Sequence, residues 1–512
     1  MRGATAASRG GRGVNKIEAL KTVRDGLDVT EDLVRFAREG WKTIGDDDKE
    51  RLKWVGVFFR RPTPGHFMMR VRMPNGILTS GQLRLLAEIT RTSGRDVADI
   101  TTRQQIQLRW LTIEQVPEVI ARLEAAGLSS LQTGMDNIRG IIGCPATGLT
   151  SNEIVDTSGI AAEFQGIFLG NKAFTNLPRK FNVTITGCPD NCTTAETQDI
   201  AMTPAIGEGD SVGFNLAVGG KQGSGGPTFA TSLDVFVRPE EAAEVCAAIA
   251  LIFRDHGPRE SRSKSRLAFL VESWGAEKLR KELEVRLGRP LPPAGRDARR
   301  ATVTDHVGVF RQRQHGMNYV GLKTPVGRVT SGHLLELARL AETYGRGELR
   351  LTPAQNVLIP HVADVRLGAL LKEPLLEELP YNPSEIRRGL SACTGTDFCN
   401  LALIDTKTRA LDLAREFEAR IAKTRPLTVR WSGCPAGCGN HHTADVGLQG
   451  CKVKVDGKIV DGVHVFVGGR GGQQARAGVR ILEDVPCDEL PAVLERLHKF
   501  FPRAGRAEET VG

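Results

Sequence analysis

The chain of 512 residues contains one long pattern twice, with an offset of about 250 residues between the two copies. The repetition is not confined to a single motif. Four pairs of segments match in the same order along the chain: 66–81 with 316–332, 99–106 with 350–357, 187–192 with 433–438, and 218–220 with 467–469. A duplication of this extent predicts that both halves adopt one fold, related by an internal pseudo-two-fold axis.

Each copy opens with the same predicted order of secondary structure. The runs 67–73 and 318–323 alternate in polarity, as a half-buried strand does, and each is followed by a glycine turn, at Gly76 or Gly327. An amphipathic helix, two short strands and a further helix come next. The first helix of each copy is predicted over 80–92 and 331–344. This order predicts a small α+β sandwich in each half.

The later part of each copy carries cysteines. It consists of a cysteine-bearing segment, a strand that ends in Gly-Cys-Pro and a closing helix. In the second copy, apolar residues with helical spacing predict a one-sided buried face: Ala410, Leu413, Ala414, Phe417 and Ile421. A stretch rich in Pro, Arg and Gly, 286–305, is interpreted as the linker between the halves.

A chain of this length is too long for one hydrophobic core. We expect seven segments: an N-terminal tail and helical lead-in (1–50), a first half-domain (51–128), a first cysteine-bearing domain (129–285), the linker (286–305), a second half-domain (306–382), a second cysteine-bearing domain (383–502) and a C-terminal tail (503–512). The first fourteen residues are basic and low in complexity, and they lack the apolar stretch of a secretory signal, so we expect a disordered tail.

Composition narrows the class of protein. Hydrophobic residues make up 40% and charged residues 25%, and no apolar run approaches the ~18 residues that a membrane span needs. The net charge is +9, but the basic residues are spread along the chain, which argues against nucleic acid and favours an acidic protein partner or a polycarboxylate cofactor. Nothing indicates an oxidising compartment, so the ten cysteines are expected as reduced thiols or metal ligands in the cytoplasm.

Four of these cysteines have the spacing of a metal centre. Cys393 and Cys399 enclose five residues, and Cys434 and Cys438 enclose three, with glycine beside each pair. Four converging thiolates are the ligands that a [4Fe–4S] cluster requires. Zinc remains the nearest alternative, although its thiol pairs are usually separated by two to four residues.

The cysteine pairs, set in this duplicated pattern, resemble those of the sirohaem-containing nitrite and sulfite reductases. The resemblance extends from Trp54 to Phe501. Within that family, the chain is most similar to the ferredoxin-dependent assimilatory nitrite reductases. It rests on three further motifs: Phe67-Met-Met-Arg-Val-Arg72, Gly134-Met-Asp-Asn-Ile-Arg139 and Leu177-Pro-Arg-Lys-Phe-Asn182. It implies an α+β fold with two ferredoxin-like half-domains and a duplicated sirohaem and iron–sulfur domain.

The resemblance also implies the cofactors. A [4Fe–4S] cluster would be bound by Cys393, Cys399, Cys434 and Cys438, and Cys438 would be shared with the iron of a sirohaem. Among the basic residues, Arg103 and Arg179 would pair with the sirohaem carboxylates, since a guanidinium suits a bidentate contact. Arg470, in Gly-Gly-Arg-Gly-Gly, is a weaker candidate for the same role.

The substrate side is implied by the same motifs. Arg70, Arg139, Lys180 and Asn182 match the family's anion-binding residues. The implied reaction is the six-electron reduction of nitrite to ammonium, with electrons from reduced ferredoxin or a similar acidic carrier, on a cytoplasmic monomer that binds neither nucleic acid nor membrane. In the sulfite reductases the corresponding motif ends in two lysines separated by one residue; here Asn182 occupies the second lysine position, which favours nitrite.

Several other interpretations remain open at this point. Sulfite reduction is the main alternative, and precorrin-modifying monooxygenases share the fold and the cluster motif. A basic iron–sulfur or zinc protein that binds nucleic acid without catalysis is the alternative from another class.

Other cysteines and histidines receive weaker interpretations. In the first half Cys144, Cys188 and Cys192 align with three cluster ligands, but the fourth position is Thr150, so we interpret the trio as a relic that packs in the core or lines the cofactor cleft. Cys246 and Cys487 are expected as buried inert thiols. His441 and His442 are expected either to hydrogen-bond near the cluster or to face solvent, and Cys451 has no assigned role.

Overall fold

The computed structural model describes residues 15–223, 225–301, 303–421 and 425–499, so the predicted tails at 1–14 and 503–512 lie outside the described residues. The strands, in chain order, are β1 (Val57–Phe59), β2 (Phe67–Val71), β3 (Ile77–Thr79), β4 (Ala98–Ile100), β5 (Ile106–Leu111), β6 (Ile138–Ile142), β7 (Phe181–Ile185), β8 (Ile200–Ile206), β9 (Val212–Val218), β10 (Thr231–Val237), β11 (Arg296–Asp297), β12 (Gly308–Arg311), β13 (Met317–Leu322), β14 (Arg328–Val329), β15 (Glu348–Leu351), β16 (Val357–Ala363), β17 (Leu390–Ala392), β18 (Val429–Ser432), β19 (Val446–Val455), β20 (Lys458–Val467) and β21 (Val479–Pro486).

Helices cover both the lead-in and the connections between strands. They are α1 (Lys16–Val23), α2 (Leu33–Glu39), α3 (Asp46–Arg51), α4 (Ser80–Ser93), α5 (Val116–Ala125), α6 (Ser158–Phe168), α7 (Ala242–His256), α8 (Leu267–Leu287), α9 (Ser331–Tyr344), α10 (Asp364–Leu370), α11 (Leu375–Glu378), α12 (Glu385–Arg388), α13 (Lys407–Arg420) and α14 (Leu490–His498). The predicted helices at 80–92 and 331–344 are thus confirmed, and each begins at a threonine that forms a capping box.

The two ferredoxin-like sheets exchange a strand. The first has the order β1-β2-β5-β4-β14, so its last strand comes from the second half of the chain. The second has the order β12-β13-β16-β15-β3, and its last strand comes from the first half. Helices α4 and α9 pack together, and the two sheets share one hydrophobic core. Neither half-domain is therefore complete without the other.

The turns before α4 and α9 make this exchange possible. Gly76 and Gly327 both have φ near +70°, and a Cβ atom at either position would lie within 2.6 Å of a backbone carbonyl of the other half. Two glutamines form matching bonds across the same interface. Gln104 Nε2 donates to Leu351 O at 2.9 Å, and Gln355 Nε2 donates to Ile100 O at 3.0 Å. The pseudo-two-fold relationship predicted from the repeat is thus visible in individual hydrogen bonds.

The two cysteine-bearing domains also have one topology. The sheet order is β10-β9-β8-β7-β6 in the first and β17-β18-β19-β20-β21 in the second, with two parallel pairings followed by two antiparallel pairings counted from β6 or from β17. Each sheet packs against helices in its own core. The buried face predicted for the helix around Ala410 is confirmed in α13. The α+β duplicated fold class is therefore confirmed.

The segment predicted as a linker is largely held against the first half. Helix α8 ends at Leu287, inside the predicted linker, and β11 pairs with β8 along the first cysteine-bearing sheet. Further on, the backbone N–H of Arg300 donates to Pro189 O at 2.9 Å, beside Cys188. Within the described residues, no helix combines the length and apolar character needed to cross a membrane.

Candidate functional site

One cavity between the two halves gathers residues that the sequence places in separate motifs. We call it the basic cavity. Its wall includes nine of the predicted site residues: Arg70, Arg103, Arg139, Lys180, Asn182, Cys393, Cys399, Cys434 and Cys438. The cavity also contains Arg60 and Lys407, which the sequence analysis did not select.

The strand ends of two different sheets meet at this cavity. Arg139 lies near the start of β6, and Lys180 directly precedes β7, which carries Asn182. Cys393 directly follows β17, and Cys434 follows β18 after one intervening residue, Gly433. Lys180 and Asn182 both line the cavity, as predicted from the alternation of side chains along a strand.

A tight loop fixes two of the guanidinium groups. Arg70 Nη1 donates to Thr133 O, and Arg139 Nε donates to Met135 O, both at 2.8 Å. Between these carbonyls, Gly134 leaves no room for a side chain, because a Cβ atom there would lie 2.3 Å from a backbone oxygen. One edge of each guanidinium is therefore tied to the backbone, and its remaining N–H groups are left for the cavity.

Five cations of the basic cavity have no acidic partners among the described residues. Within the described residues, none of Arg60, Arg70, Arg103, Arg139 and Lys180 has a carboxylate oxygen within 4.0 Å. The buried Nε atoms of Arg60 and Arg103 have no hydrogen-bond partner. Burial, together with neighbouring positive charge, lowers the pKa of Arg70 to about 9 and lowers the pKa of Lys180 well below its usual value. An unpaired group of buried charges of one sign is a binding site for anions.

The thiol of Cys438 differs from those of its neighbours. Burial alone would raise the pKa of Cys438, but Lys180 and three arginines of the cavity more than offset that effect and lower it. Burial raises the pKa of Cys393 to about 12 and that of Cys434 to about 11. Cys438 is thus the thiol that faces the cations, and the hydroxyl of Thr102 holds its backbone by donating to its carbonyl at 3.0 Å.

Backbone amides point at two of the other thiols. The N–H of Gly433 donates to Cys393 Sγ at 3.1 Å, and the N–H of Leu401 donates to Cys399 Sγ at 3.4 Å. Such bonds stabilise thiolates and tune the potential of an iron–sulfur cluster. The four cysteines are not gathered tightly enough for a single ion, since the groups of ligand atoms that lie within 4.8 Å of one another among the described residues do not include them.

The sequence analysis missed a buried ion network that forms part of the cavity wall. Asp99 lies 2.6 Å from Arg109, 3.1 Å from Arg328 and 3.3 Å from Lys407, and the pKa of its carboxyl is lowered because these cations more than offset burial. Two of the cations extend to the loop between Cys393 and Cys399. There they stack on Phe398. The motif Asp99-Ile-Thr-Thr lies in a repeated segment and so marked Asp99 as a candidate, but it did not indicate which cations pair with that carboxylate.

Two predicted cofactor contacts lie outside the basic cavity. Arg179 precedes Lys180 but does not line the cavity; burial lowers its pKa to about 10, and its Nε is buried without a hydrogen-bond partner. The guanidinium of Arg470 instead donates to Ala301 O at 2.8 Å and to Gln474 Oε1 at 3.3 Å. The roles of both residues stay predictions, and the contacts of Arg470 offer that role no support.

The histidines that follow Cys438 are buried, so the expectation that they face solvent is wrong. His441 Nδ1 lies 2.8 Å from the hydroxyl of Ser432. Burial lowers the pKa of His441 to about 3 and that of His442 to about 4, so both rings are neutral at neutral pH. Cys246 and Cys487 are buried as predicted.

Comparison with known proteins agrees with this architecture. The family model described as "Nitrite and sulphite reductase 4Fe-4S domain" matches residues 134–291 and 385–511, and "Nitrite/Sulfite reductase ferredoxin-like half domain" matches 59–126 and 310–376. The chain belongs to the nitrite and sulfite reductase family.

Similar proteins come from distant organisms. A ferredoxin–nitrite reductase of Leptolyngbya laminosa is 44% identical over 94% of this chain and 96% of its own length. An assimilatory ferredoxin-dependent nitrite reductase of Haloferax mediterranei is 39% identical over 97% of this chain and 91% of its own length. Among solved structures, the NirA protein of Mycobacterium tuberculosis superposes with a TM-score of 0.91 at 33% identity, covering 97% of this chain and 95% of that one.

The residues of the site fit the cofactors that the family implies. Four thiols line one cavity, as a [4Fe–4S] cluster requires. The unpaired arginine Nε atoms suit the carboxylates of a sirohaem, because a buried donor without a partner is costly unless an acceptor binds it.

Proposed function

We propose that this protein is a ferredoxin-dependent nitrite reductase, which converts nitrite into ammonium by the transfer of six electrons. One observation carries the proposal: four cations without acidic partners surround the thiol of Cys438 in a single cavity. The names of its relatives support the same reaction and the same electron donor.

The cofactors implied by the family are a [4Fe–4S] cluster and a sirohaem. Cys393, Cys399, Cys434 and Cys438 would hold the cluster, and Cys438 would also hold the sirohaem. Arg103 suits a sirohaem carboxylate, because its buried Nε, like that of Arg60, has no hydrogen-bond partner among the described residues. When bound, the pair of cofactors would supply electrons one at a time to the substrate.

The chain's own contribution is binding and proton supply. Arg70, Arg139 and Lys180 attract the anion; at about 4 Å and an effective dielectric of about 20, each pair of charges contributes about 4 kcal/mol before desolvation is subtracted. The reaction consumes protons as both oxygens leave as water. Lys180 is the residue that we assign to proton donation, because its lowered pKa makes its ammonium a better acid than an ordinary lysine.

Asn182 supports nitrite over sulfite as the substrate. It is buried, and its backbone N–H donates to Asp199 Oδ2 at 2.9 Å, which holds its side chain toward the cavity wall. A neutral amide both donates and accepts hydrogen bonds, which is enough for a small singly charged anion. Sulfite carries more charge and would gain more from a second ammonium group at this position.

Steady-state kinetics with both anions tests the proposal. With reduced methyl viologen as the donor, we expect kcat/KM for nitrite to exceed that for sulfite, with ammonium formed in proportion to nitrite consumed. A purified protein that lacks sirohaem in its absorption spectrum, or that reduces sulfite faster than nitrite, would contradict it.

We also propose that the protein acts as a monomer in the cytoplasm. One chain supplies both walls of the basic cavity, so a partner subunit is not needed to complete the site. Light scattering that gives a mass near 55.6 kDa would support this, and a stable dimer would contradict it.

A further inference from the structure

A second group of thiols lies at the pseudo-symmetric position in the first half. We call it the thiol–imidazole cluster, and it consists of Cys144, Cys188, Cys192 and His306. The ligand atoms of Cys144, Cys192 and His306 all lie within 4.8 Å of one another. Cys188 and Cys192 both lie close enough to Cys144 to perturb the pKa of its thiol. His306 is thus a fourth possible ligand. The repeat pattern alone offers none, because Thr150 occupies the position that corresponds to Cys399.

The spacing suits one ion rather than an iron–sulfur cube. Cys144 Sγ lies 3.6 Å from His306 Nε2. In a tetrahedral zinc site with Zn–S of about 2.3 Å and Zn–N of about 2.0 Å, a sulfur and a nitrogen ligand are about 3.5 Å apart. The three-residue interval between Cys188 and Cys192 also falls in the range of two to four residues that zinc sites use.

His306 is held in place as a metal ligand usually is. Its Nδ1 lies 3.0 Å from the hydroxyl of buried Tyr319, which leaves Nε2 for an ion. Its neighbours in the chain are clamped by Arg388, which pairs with Asp305 at 2.8 Å and donates to Val307 O at 2.7 Å.

The backbone around His306 also helps to fix the position of its imidazole ring. Its φ of +57° lies in the left-handed region, a conformation that costs free energy unless the surroundings impose it. Gly321 permits the close approach of the strand that follows, because a Cβ atom there would lie only 1.6 Å from His306 O.

The site has an entry path but lacks two of the basic residues found in the first cavity. Cys192 and His306 line a second cavity, which shares Thr102 with the wall of the basic cavity and also includes Thr352 and Ala354. Ala354 occupies the repeat position of Arg103, and Gly321 occupies that of Arg70, whereas Arg388 is kept at the position of Arg139. The pseudo-symmetric position has therefore lost part of the basic residue set and kept three thiols.

We propose that Cys144, Cys192 and His306, with Cys188 as fourth ligand after rotation of its side chain, bind a structural zinc ion. Three thiol protons leave as the ion binds, as in other thiolate sites. The ion ties the chain just before β12, which carries His306, to the first cysteine-bearing domain. This inference does not depend on the proposed function.

Zinc analysis of the purified holoenzyme tests the proposal. The cells are grown in medium that contains zinc, and the protein is purified without a chelator. We expect about one zinc per chain in addition to the cluster iron. The zinc K-edge spectrum should fit three sulfur and one nitrogen ligand, at about 2.3 Å and about 2.0 Å. This measurement needs no variant and is not disturbed by iron.

Variants locate the ion. Cys192→Ser and His306→Gln should lose zinc and keep the cluster iron, whereas Cys438→Ser should lose cluster iron and keep zinc. Tyr319→Phe should weaken zinc binding by about 10- to 100-fold, as removal of an outer hydrogen bond does at other zinc sites. Cys451→Ser is the matched control, because Cys451 belongs to the other compact group of possible ligands, with His464 and Asp484; it should keep its zinc.

Four results would overturn the proposal. They are wild-type zinc below about a tenth of an ion per chain, a K-edge spectrum without sulfur ligands, zinc retained at wild-type level in both Cys192→Ser and His306→Gln, and a disulfide among the three thiols found by alkylation and mass spectrometry. None of them bears on whether the enzyme reduces nitrite.

Discussion

At the scale of single residues, the basic cavity is unusual in how its charges are held. Its arginines are protonated at neutral pH even where burial lowers their pKa, whereas Lys180 starts from the lower usual pKa of 10.5, which burial and the positive charges of Arg266, Arg139 and Arg103 lower well below that value. Lys180 is therefore the group in the cavity whose charge depends most on pH.

This dependence predicts an alkaline limit to activity. A lowered pKa means that Lys180 is protonated below that pKa and neutral above it, so kcat/KM for nitrite should fall as the pH rises, at a pH below the usual lysine value of 10.5. Lys180→Arg should move the fall to higher pH, because a guanidinium stays charged. A pH profile with reduced methyl viologen measures this, and an unchanged alkaline limb in Lys180→Arg would show that another group titrates.

Asn182 predicts a change of substrate preference. Asn182→Lys adds a second ammonium group two residues beyond Lys180, so we expect the ratio of kcat/KM for sulfite to that for nitrite to rise by about 10- to 100-fold, equivalent to ~1.4–2.8 kcal/mol. Asn182→Gln, which keeps the amide, is the matched control and should leave the ratio close to wild type. Steady-state kinetics with both anions on the three proteins decides the matter, and equal shifts in both variants would contradict the prediction.

The sequence predicted some residues of the site correctly and missed others. The motifs that match the family predicted Arg70, Arg139 and the four cysteines as residues of one site, and the basic cavity contains all of them. Arg109, Arg328 and His306 were missed, since their importance depends on partners far away in the chain. A side chain paired across about 230 residues leaves no local pattern.

At the scale of elements, the loop between Cys393 and Cys399 depends on strands from both half-domains. Arg109 lies on β5 and Arg328 on β14, and both reach the loop while bound to Asp99 on β4. The Asp99 carboxylate holds three cations in place, two of which contact Phe398. The geometry of two cluster ligands thus depends on a carboxylate that contacts neither of them.

Removal of this carboxylate should be costly. Asp99→Asn removes the carboxylate that pairs with the buried side chains of Arg109 and Lys407, and we expect the free energy of unfolding to fall by about 3–5 kcal/mol, with faster loss of cluster absorption. Asp397→Asn is the control, because Asp397 pairs with Arg328 at 3.0 Å but its side chain is 38% exposed; a change below about 1 kcal/mol is expected. Denaturant titration of both variants measures the difference, and similar losses would contradict the assignment.

At the scale of the whole molecule, the net charge of +9 predicts how the electron donor approaches. Opposite charges accelerate the encounter with an acidic carrier and lose effect as salt screens them. Turnover with reduced ferredoxin should therefore fall as ionic strength rises from about 0.05 to about 0.3 M, while turnover with methyl viologen should not fall in parallel. Stopped-flow or steady-state assays with both donors test this; a salt-independent ferredoxin rate, or efficient use of NADPH, would contradict it.

The sequence predicted the internal repeat and the order of helices and strands along each half of the chain. The exchange of β3 and β14 was not, because strands of two or three residues carry no periodicity and their partners lie in the other copy. The same applies to the linker, where the pairing of β11 with β8 involves only two residues.

The strand exchange also bears on how such a protein began. A single half, expressed before the duplication, would have had an unpaired edge beside β4 and a short strand with no sheet to join. The arrangement is complete only if two identical copies trade that strand around a two-fold axis, which is the geometry of a swapped homodimer. Fusion of the two genes of such a dimer would leave one chain with two clefts of common origin, which correspond here to the basic cavity and to the position of the thiol–imidazole cluster.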